Sequence, residues 1–352
     1  VTLALVAAAL TSDAESRLER EFGWRLVTLP DIRSSIPLDG SFVDPGTVDA
    51  LVVEAQPVTA ETFAAMPKLR VVACLRGDPV NVDLEAATRR GIPVLHTPGR
   101  NREAVADFVI GLLLSVTRHI ATTHHLIVAR ELTEPAELAA QRGPRRDVIW
   151  RPADTTRPLP YDIYRGPELA SLRLGIVGYG EIGRRVCEKA RALEMDVLVC
   201  DPQVPDAEIT PAGVRPVGLT ELLTSSDVVS LHARSPGPPI IGEAELALMR
   251  RGSYLINTSR ANQIDYEAMT RALRSGHLAG AGLDVFPDEP LSSASPLLEL
   301  PNVTLTPHLA GASTNVVEHQ SALLVQGLAA LANGSDALRR RAVKNPEVLE
   351  VT

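Results

Sequence analysis

An arginine, a glutamate and a histidine, far apart in a chain of 352 residues, share one kind of setting. Arg260 closes LINTSR, Glu289 lies in GLDVFPDEP, and His308 lies in LTPHLAGAS. Each follows a short apolar or β-branched run, so each sits just past an expected strand end, the edge of a parallel sheet where ligands bind. A guanidinium grips a carboxylate with two parallel hydrogen bonds, an imidazole passes a proton near neutral pH, and a carboxylate beside that imidazole favours its charged form. Taken together the three describe acid–base chemistry on an α-oxo or α-hydroxy acid. Taken singly, each reads more readily as something plain: an ion-pair arginine, a turn acid before Pro290 and a hydrogen-bonded histidine behind Pro307.

A second pattern runs through residues 172–193, LRLGIVGYGEIGRRVCEKARAL. An apolar run leads into Gly178, Gly180 and Gly183, with Tyr179, Glu181 and Ile182 between them, and helix-compatible sequence follows. Glycines at this spacing suit a tight turn, close approach of backbone to a pyrophosphate, and close packing of helix on strand. A further apolar run, DVLVCDP, places Asp201 eighteen residues past Gly183. An acid there accepts hydrogen bonds from ribose hydroxyls and repels a 2′-phosphate, so the expected cofactor is NAD, not NADP.

Positioning these groups requires a particular scaffold. Apolar runs over 3–10, 24–29, 50–53, 69–75 and 93–96 alternate with helical stretches, and the alternation continues after the glycine loop. The pattern predicts an α/β protein with two doubly wound parallel-sheet domains: a Rossmann nucleotide-binding domain and a flavodoxin-like substrate domain. The alternation before the glycine loop sets a first domain over 1–100, and a long helix beginning near Asn101 leads into the nucleotide domain. From 126 to 165 the periodicity lapses into Pro, Arg and Glu, and long stretches of this kind inside compact domains are functional or disordered.

Composition narrows the class. A hydrophobic share of 45% is ordinary for a globular chain, and a formal charge of −8 argues against bulk nucleic-acid binding. VTLALVAAAL at the start has no basic residues before it and acids soon after, so it reads as a first strand and not as a signal peptide. Cys74, Cys187 and Cys200 form no C-x-x-C pair, which points to free thiols and a cytoplasmic setting, with no membrane partner. No His, Cys or carboxylate spacing suggests a metal site.

From about 69 to 313 the chain resembles the D-isomer-specific 2-hydroxyacid dehydrogenase family, whose phosphoglycerate, glycerate and D-lactate enzymes share this order of motifs. The likeness is carried by VNVDLEAATRRGIPVLHTPGRNREAVADFVIGLLL, the glycine loop, SLHA, LINTSR, GAGLDVFPDEP and TPHLAGAS. It implies a catalytic Arg260, His308 as acid and base, Glu289 tuning that histidine, and Ala233, Thr258, Ser259 and Asp284 around the cofactor. It further implies an active site in an interdomain cleft and a last helix over 314–333 returning to the first domain, so that 1–100 with 310–352 form the substrate domain and 101–309 the nucleotide domain. It also implies a homodimer using 126–165 as a partner-covering arm with Trp150, Tyr161 and Tyr164 as possible anchors, or else that stretch is a mobile loop. A non-catalytic NAD-sensing regulator on the same fold is the alternative, because fold alone does not specify turnover.

The chain departs from the family where the substrate is recognised. Two close glycines usually offer amides to a carboxylate; here the loop reads CLRGDPVNVD, with Arg76, Gly77 and Asp78. Asp78 either repels a second anionic group, or accepts bonds from hydroxyls or an amine, or pairs with Arg76 and turns away. Arg76, Arg100 and Arg102 are candidates to hold a phosphate or phosphonate, and a plain surface role is open for the last two. The usual glycine after the catalytic arginine is Ala261.

Overall fold

The computed structural model describes residues 1–31, 35–132, 160–233 and 237–350. The chain divides into two compact units, one made of Val1–Asn101 with Ala312–Thr352 and the other of Arg102–Gly311. Both are α/β, with parallel sheets, as the alternation of apolar and helical runs predicts.

In the first unit β1 (Thr2–Ala7), β2 (Trp24–Thr28), β3 (Ala50–Val53), β4 (Val71–Cys74) and β5 (Val94–His96) form a parallel sheet in the order β2-β1-β3-β4-β5. All four residues of β3 are buried because helices cover both faces of the sheet, which is why it reads as an unbroken apolar run rather than an alternating one. The helices start and stop on local chemistry. Thr11 accepts from the Ala14 amide at 3.3 Å to begin α1 (Ser12–Phe22), and Gly23, at φ 65°, ends it. Asp83 caps α3 (Leu84–Arg89) in the same way, while Thr59 opens α2 (Ala60–Ala65).

The second unit opens with α4 (Arg102–Thr117), whose buried Val105, Val109, Leu112, Leu113 and Val116 enter the core. It then breaks at His119 and resumes as α5 (Ile120–Val128). Strands β6 (Arg173–Val177), β7 (Asp196–Cys200), β8 (Arg215–Pro216), β9 (Val228–Leu231), β10 (Ser253–Asn257), β11 (Leu278–Leu283) and β12 (Val303–Leu305) follow. They order as β12-β11-β10-β9-β6-β7-β8, all parallel, so the sheet reverses direction of growth beside β6, the strand that feeds the glycine loop. Helix α6 (Glu181–Ala192) follows that loop and is tied to α4: Arg185 donates to Glu103 at 2.7 Å and Lys189 to Asp107 at 2.7 Å. Helices α7 (Leu219–Ser225), α8 (Glu243–Leu248) and α9 (Tyr266–Arg274) complete the layers.

The chain then returns to the first unit with α10 (Val316–Asn333), whose Leu324 and Leu328 pack in the core with Ala4, Val6 and Leu95. A final helix, α11 (Asp336–Ala342), leads to a short extended piece not foreseen from the sequence. Val343 bridges Leu95 antiparallel at the free edge of β5, and the buried Asn345 side chain accepts from Val94 N and donates to Ile92 O, both at 2.9 Å. A side-chain amide that supplies both donor and acceptor substitutes for a strand partner there.

Of the expected 126–165 arm, 126–128 belong to α5, a helical turn covers Pro160–Ile163, and Trp150 with the rest of 133–159 lies outside the described residues. Among the described residues no single helix is long and apolar enough to cross a membrane.

Candidate active site

His308 and Glu289 meet. The imidazole Nδ1 lies 2.7 Å from Glu289 Oε2, and Glu289 Oε1 accepts from the Phe286 amide at 3.1 Å. The His308 hydrogen bond is the main reason that the Glu289 carboxyl sits below its usual range, helped by the Phe286 amide and by the positive charges of His308 and Arg260. Both side chains are part-exposed, 49% and 37%, so reagents can reach them.

The histidine is held by its backbone as much as by its side chain. Its φ of 56° is in the left-handed region, which for a residue with a Cβ persists only where the surroundings over-determine it. Asp284 does this. Its carbonyl accepts from His308 N at 2.8 Å, and its fully buried carboxylate accepts from Leu309 N and Ala310 N at 2.8 Å and from the Thr306 hydroxyl at 2.6 Å. Asp284, expected at the cofactor, is thus visibly the clamp of the histidine loop, with about one of a carboxylate's four acceptor positions left over.

Arg260 follows β10 in the same unit and is exposed, its guanidinium donating to the Ser259 carbonyl at 2.6 Å. The turn that presents it is locked by Asn257, a fully buried residue overlooked in the sequence. Asn257 Oδ1 accepts from the Ser259 amide and hydroxyl at 3.0 and 2.8 Å, and Nδ2 donates to the Arg260 carbonyl at 2.9 Å. The signal was present: Asn ending a strand before Thr-Ser bonds its own backbone more readily than it continues a ladder.

The glycine loop fits a dinucleotide. Gly178 has φ 98°, and a Cβ there would stand 2.5 Å from the backbone nitrogen of Ala233; a Cβ on Gly183 would collide with the Gly178 carbonyl oxygen. Gly180 faces open space and precedes α6, which has no side-chain cap, so its first amides are available to an anion. Beside the same sheet edge the Thr258 hydroxyl is buried without a hydrogen-bond partner, as expected of a group that completes its bonding on a ligand. Asp201 accepts from Tyr179 N at 2.7 Å and Gln203 N at 2.9 Å, fixing the carboxylate at the end of β7.

Other expected cofactor residues contribute differently. The Tyr179 ring is buried under Arg184, 4.3 Å from the ring centre, so only its backbone faces the loop. Glu181 pairs with Arg102 at 3.0 Å, and Ile182 packs into the core. His232, at the end of β9, accepts or donates to Ser230 Oγ at 2.9 Å through Nε2, and burial lowers its pKa to about 4.

In the first unit the loop bearing Arg76, Gly77 and Asp78 follows β4. Asp78 pairs with Lys344 at 3.2 Å, a partner the sequence did not suggest. Arg100 is tied to Glu54 at 2.6 Å and to Gln320, so with Arg102 held by Glu181 both of these phosphate candidates have structural duties. Burial pushes the thiols of Cys74 and Cys187 up to about 11 and about 12, away from nucleophilic use. Among the described residues no group of three His, Cys, Asp or Glu could hold a metal ion.

Comparison with known proteins sets this geometry in a family. Residues 153–310 match the model of the D-isomer specific 2-hydroxyacid dehydrogenase, NAD binding domain. A glyoxylate reductase of Korarchaeum cryptofilum is 37% identical over 81% of this chain and 80% of its own length. The chain belongs to that family. A D-3-phosphoglycerate dehydrogenase of Mycobacterium leprae is 35% identical over 76% of this chain and 46% of its own length. The crystal structure of a glyoxylate reductase from Paecilomyes thermophila superposes with a TM-score of 0.70 at 27% identity, covering 94% of this chain and 95% of that one. As a member of the 2-hydroxyacid dehydrogenase family the chain is a nicotinamide-dinucleotide-dependent oxidoreductase, and its two parallel-sheet α/β units agree with the fold of its relatives.

Proposed function

We propose that the enzyme reduces a small 2-oxo acid of the glyoxylate type, and oxidises the corresponding D-2-hydroxy acid, with NAD as the preferred cofactor. The observation that carries the reading is the 2.7 Å bond between His308 and Glu289, within the reach of the Arg260 charge. When bound, the nicotinamide dinucleotide supplies or receives the hydride. His308 takes the hydroxyl proton during oxidation and returns it to the carbonyl oxygen during reduction. Glu289 orients the imidazole and stabilises its charged form, while Arg260 holds the carboxylate and polarises the oxo group with a fork that lysine lacks. Gly178 and Gly183 allow the tight turn and the close packing of helix on strand, Gly180 leaves room for the pyrophosphate, and Asp201 disfavours a 2′-phosphate.

Within this reading Val1–Asn101 with Ala312–Thr352 is the substrate domain, recognising substrate through Arg76, Gly77 and Asp78, and Arg102–Gly311 is the nucleotide domain. The relatives named glyoxylate reductase support the small-substrate class. The test is NADH consumption with a panel of 2-oxo acids from glyoxylate to a phosphorylated three-carbon member. No turnover with any of them would remove the proposal.

A homodimer belongs to the same reading. Helix α5 has no buried residue although its sequence is IATTHHLIV, and Ile127 and Val128 are 48% and 66% exposed. Apolar helix faces of this kind are covered by a second copy in symmetric dimers. A monomer by light scattering at micromolar concentration would exclude it. Free, raised-pKa thiols suit a cytoplasmic setting.

A further inference from the structure

We infer that Lys344 is a positioning and specificity residue: it neutralises Asp78 and so keeps the 76–78 loop receptive to an anionic substrate. The inference rests on the reading of that loop as the one that recognises substrate. A bare carboxylate in such a loop would oppose the negative charge of any 2-oxo acid, because like charges at close range disfavour binding. The structure places a cation against it, 3.2 Å from Lys344 Nζ to Asp78 Oδ1, with both side chains less than half exposed.

The cation is delivered by a fixed segment. Lys344 N donates to the Val94 carbonyl at 2.8 Å, Val343 before it bridges Leu95, and Asn345 after it is bolted to Ile92 and Val94. A lysine on an exposed surface gains little from an ion pair, since ordering two long side chains offsets the attraction. Here the backbone on both sides of the lysine is already pinned to the sheet edge.

A second contact joins the same two segments. His96 Nδ1 lies 3.1 Å from the Gly77 carbonyl and Nε2 lies 3.3 Å from the Arg341 carbonyl in α11. A neutral ring donates to only one of these carbonyls, whichever tautomer is present, so His96 lies between the 76–78 loop and α11 and ties the backbone of one of them. The segment after α11 therefore meets the loop at its charge, through Lys344, with His96 packed between the two. Lysine is used at only three positions in a chain otherwise rich in arginine, and this is one of them.

The experiment compares wild type with Lys344→Ala, Lys344→Gln, Lys344→Arg and the double variant Lys344→Ala with Asp78→Asn, using NADH with glyoxylate and with a phosphorylated three-carbon 2-oxo acid. Both neutral variants should raise KM by roughly five- to thirtyfold, more for the doubly charged acid, with a smaller change in kcat. Lys344→Arg should stay near wild type, and Asp78→Asn should return the KM of the alanine variant towards the original value. Thermal melts identify any variant that fails to fold, and the glutamine variant then carries the comparison. Unchanged KM in an active background, or a raised KM that Asp78→Asn does not relieve, overturns the inference and leaves the proposed function standing. A wild type that reduces no 2-oxo acid removes both.

Discussion

The Nδ1 atom of His308 lies 2.7 Å from Oε2 of Glu289, and because an ionised carboxylate only accepts hydrogen bonds, Nδ1 carries a proton and Nε2 is the nitrogen that the proposed proton transfer would use. His308→Ala should therefore lower turnover with glyoxylate by roughly 10²–10⁴. NADH affinity, measured by fluorescence titration, should change far less, since the glycine loop is untouched. Near-normal kcat in the variant would assign the proton transfer to another group.

Glu289 titrates below its ordinary range because His308 donates to it, with the Phe286 amide adding to the effect. The sign follows from linkage: a carboxyl whose folded pKa is depressed contributes above its unfolded value, and the contribution is lost as pH falls through the lower folded value. The pair thus persists through mildly acidic pH in the wild type and is absent at every pH in Glu289→Gln. The variant should lose activity, and its pH profile for reduction should move towards acid, because no carboxylate then faces the imidazole. An unmoved profile would show that the glutamate only holds the ring in place.

Much of this was legible from the sequence, for reasons that differ between residues. The strands could be read because parallel strands covered on both faces are continuous apolar runs, as β3 is, and the glycine loop because Gly178 and Gly183 stand where backbone lies too close for a Cβ. Asn257 and the clamping role of Asp284 were missed because their effect is on backbone amides, which side-chain spacing does not reveal. Lys344 was missed because the pairing spans 78 to 344 and depends on a C-terminal segment added to a sheet edge, a long-range event with no local periodicity. Arg100 and Arg102 illustrate the converse: arginines near a binding loop look like anion holders until their carboxylate partners, Glu54 and Glu181, are brought beside them by folding.

Asp201, held at the end of β7 by the amides of Tyr179 and Gln203, gives the cofactor prediction. Catalytic efficiency with NADH should exceed that with NADPH by at least about tenfold, since a 2′-phosphate would meet a fixed carboxylate and Pro202 supplies no cation. Asp201→Gly combined with Pro202→Arg should narrow the ratio. Equal use of both cofactors by the wild type would refute the assignment.

Asp284 supplies three acceptors to the loop that carries His308 at φ 56°. Asp284→Ala would leave the Leu309 and Ala310 amides and the Thr306 hydroxyl without their partner, a loss of roughly 2–4 kcal/mol in stability. With the loop released, turnover should drop at least about tenfold at temperatures where the protein is still folded. Denaturant unfolding and steady-state rates separate the two effects: lost stability with unchanged kcat would make Asp284 a fold residue alone.

His232 gives a prediction about pH and stability. Burial lowers its pKa to about 4, whereas an unfolded chain would protonate it near about 6.5. The unfolded state therefore binds the proton first, and by linkage the stability supplied by a neutral His232 is present above about pH 6.5 and is lost as pH falls through 4. The backbone of His232 also packs against Gly178, and the folded ring stays neutral through most of this window, so the effect is on stability and not on the charge of the folded site. His232→Asn should flatten the fall in melting temperature between pH 7 and pH 4.5 by removing the titrating group. Parallel melting curves for wild type and variant across that range would mean that other groups set the acid sensitivity and that His232 is only a neutral spacer beneath the glycine loop.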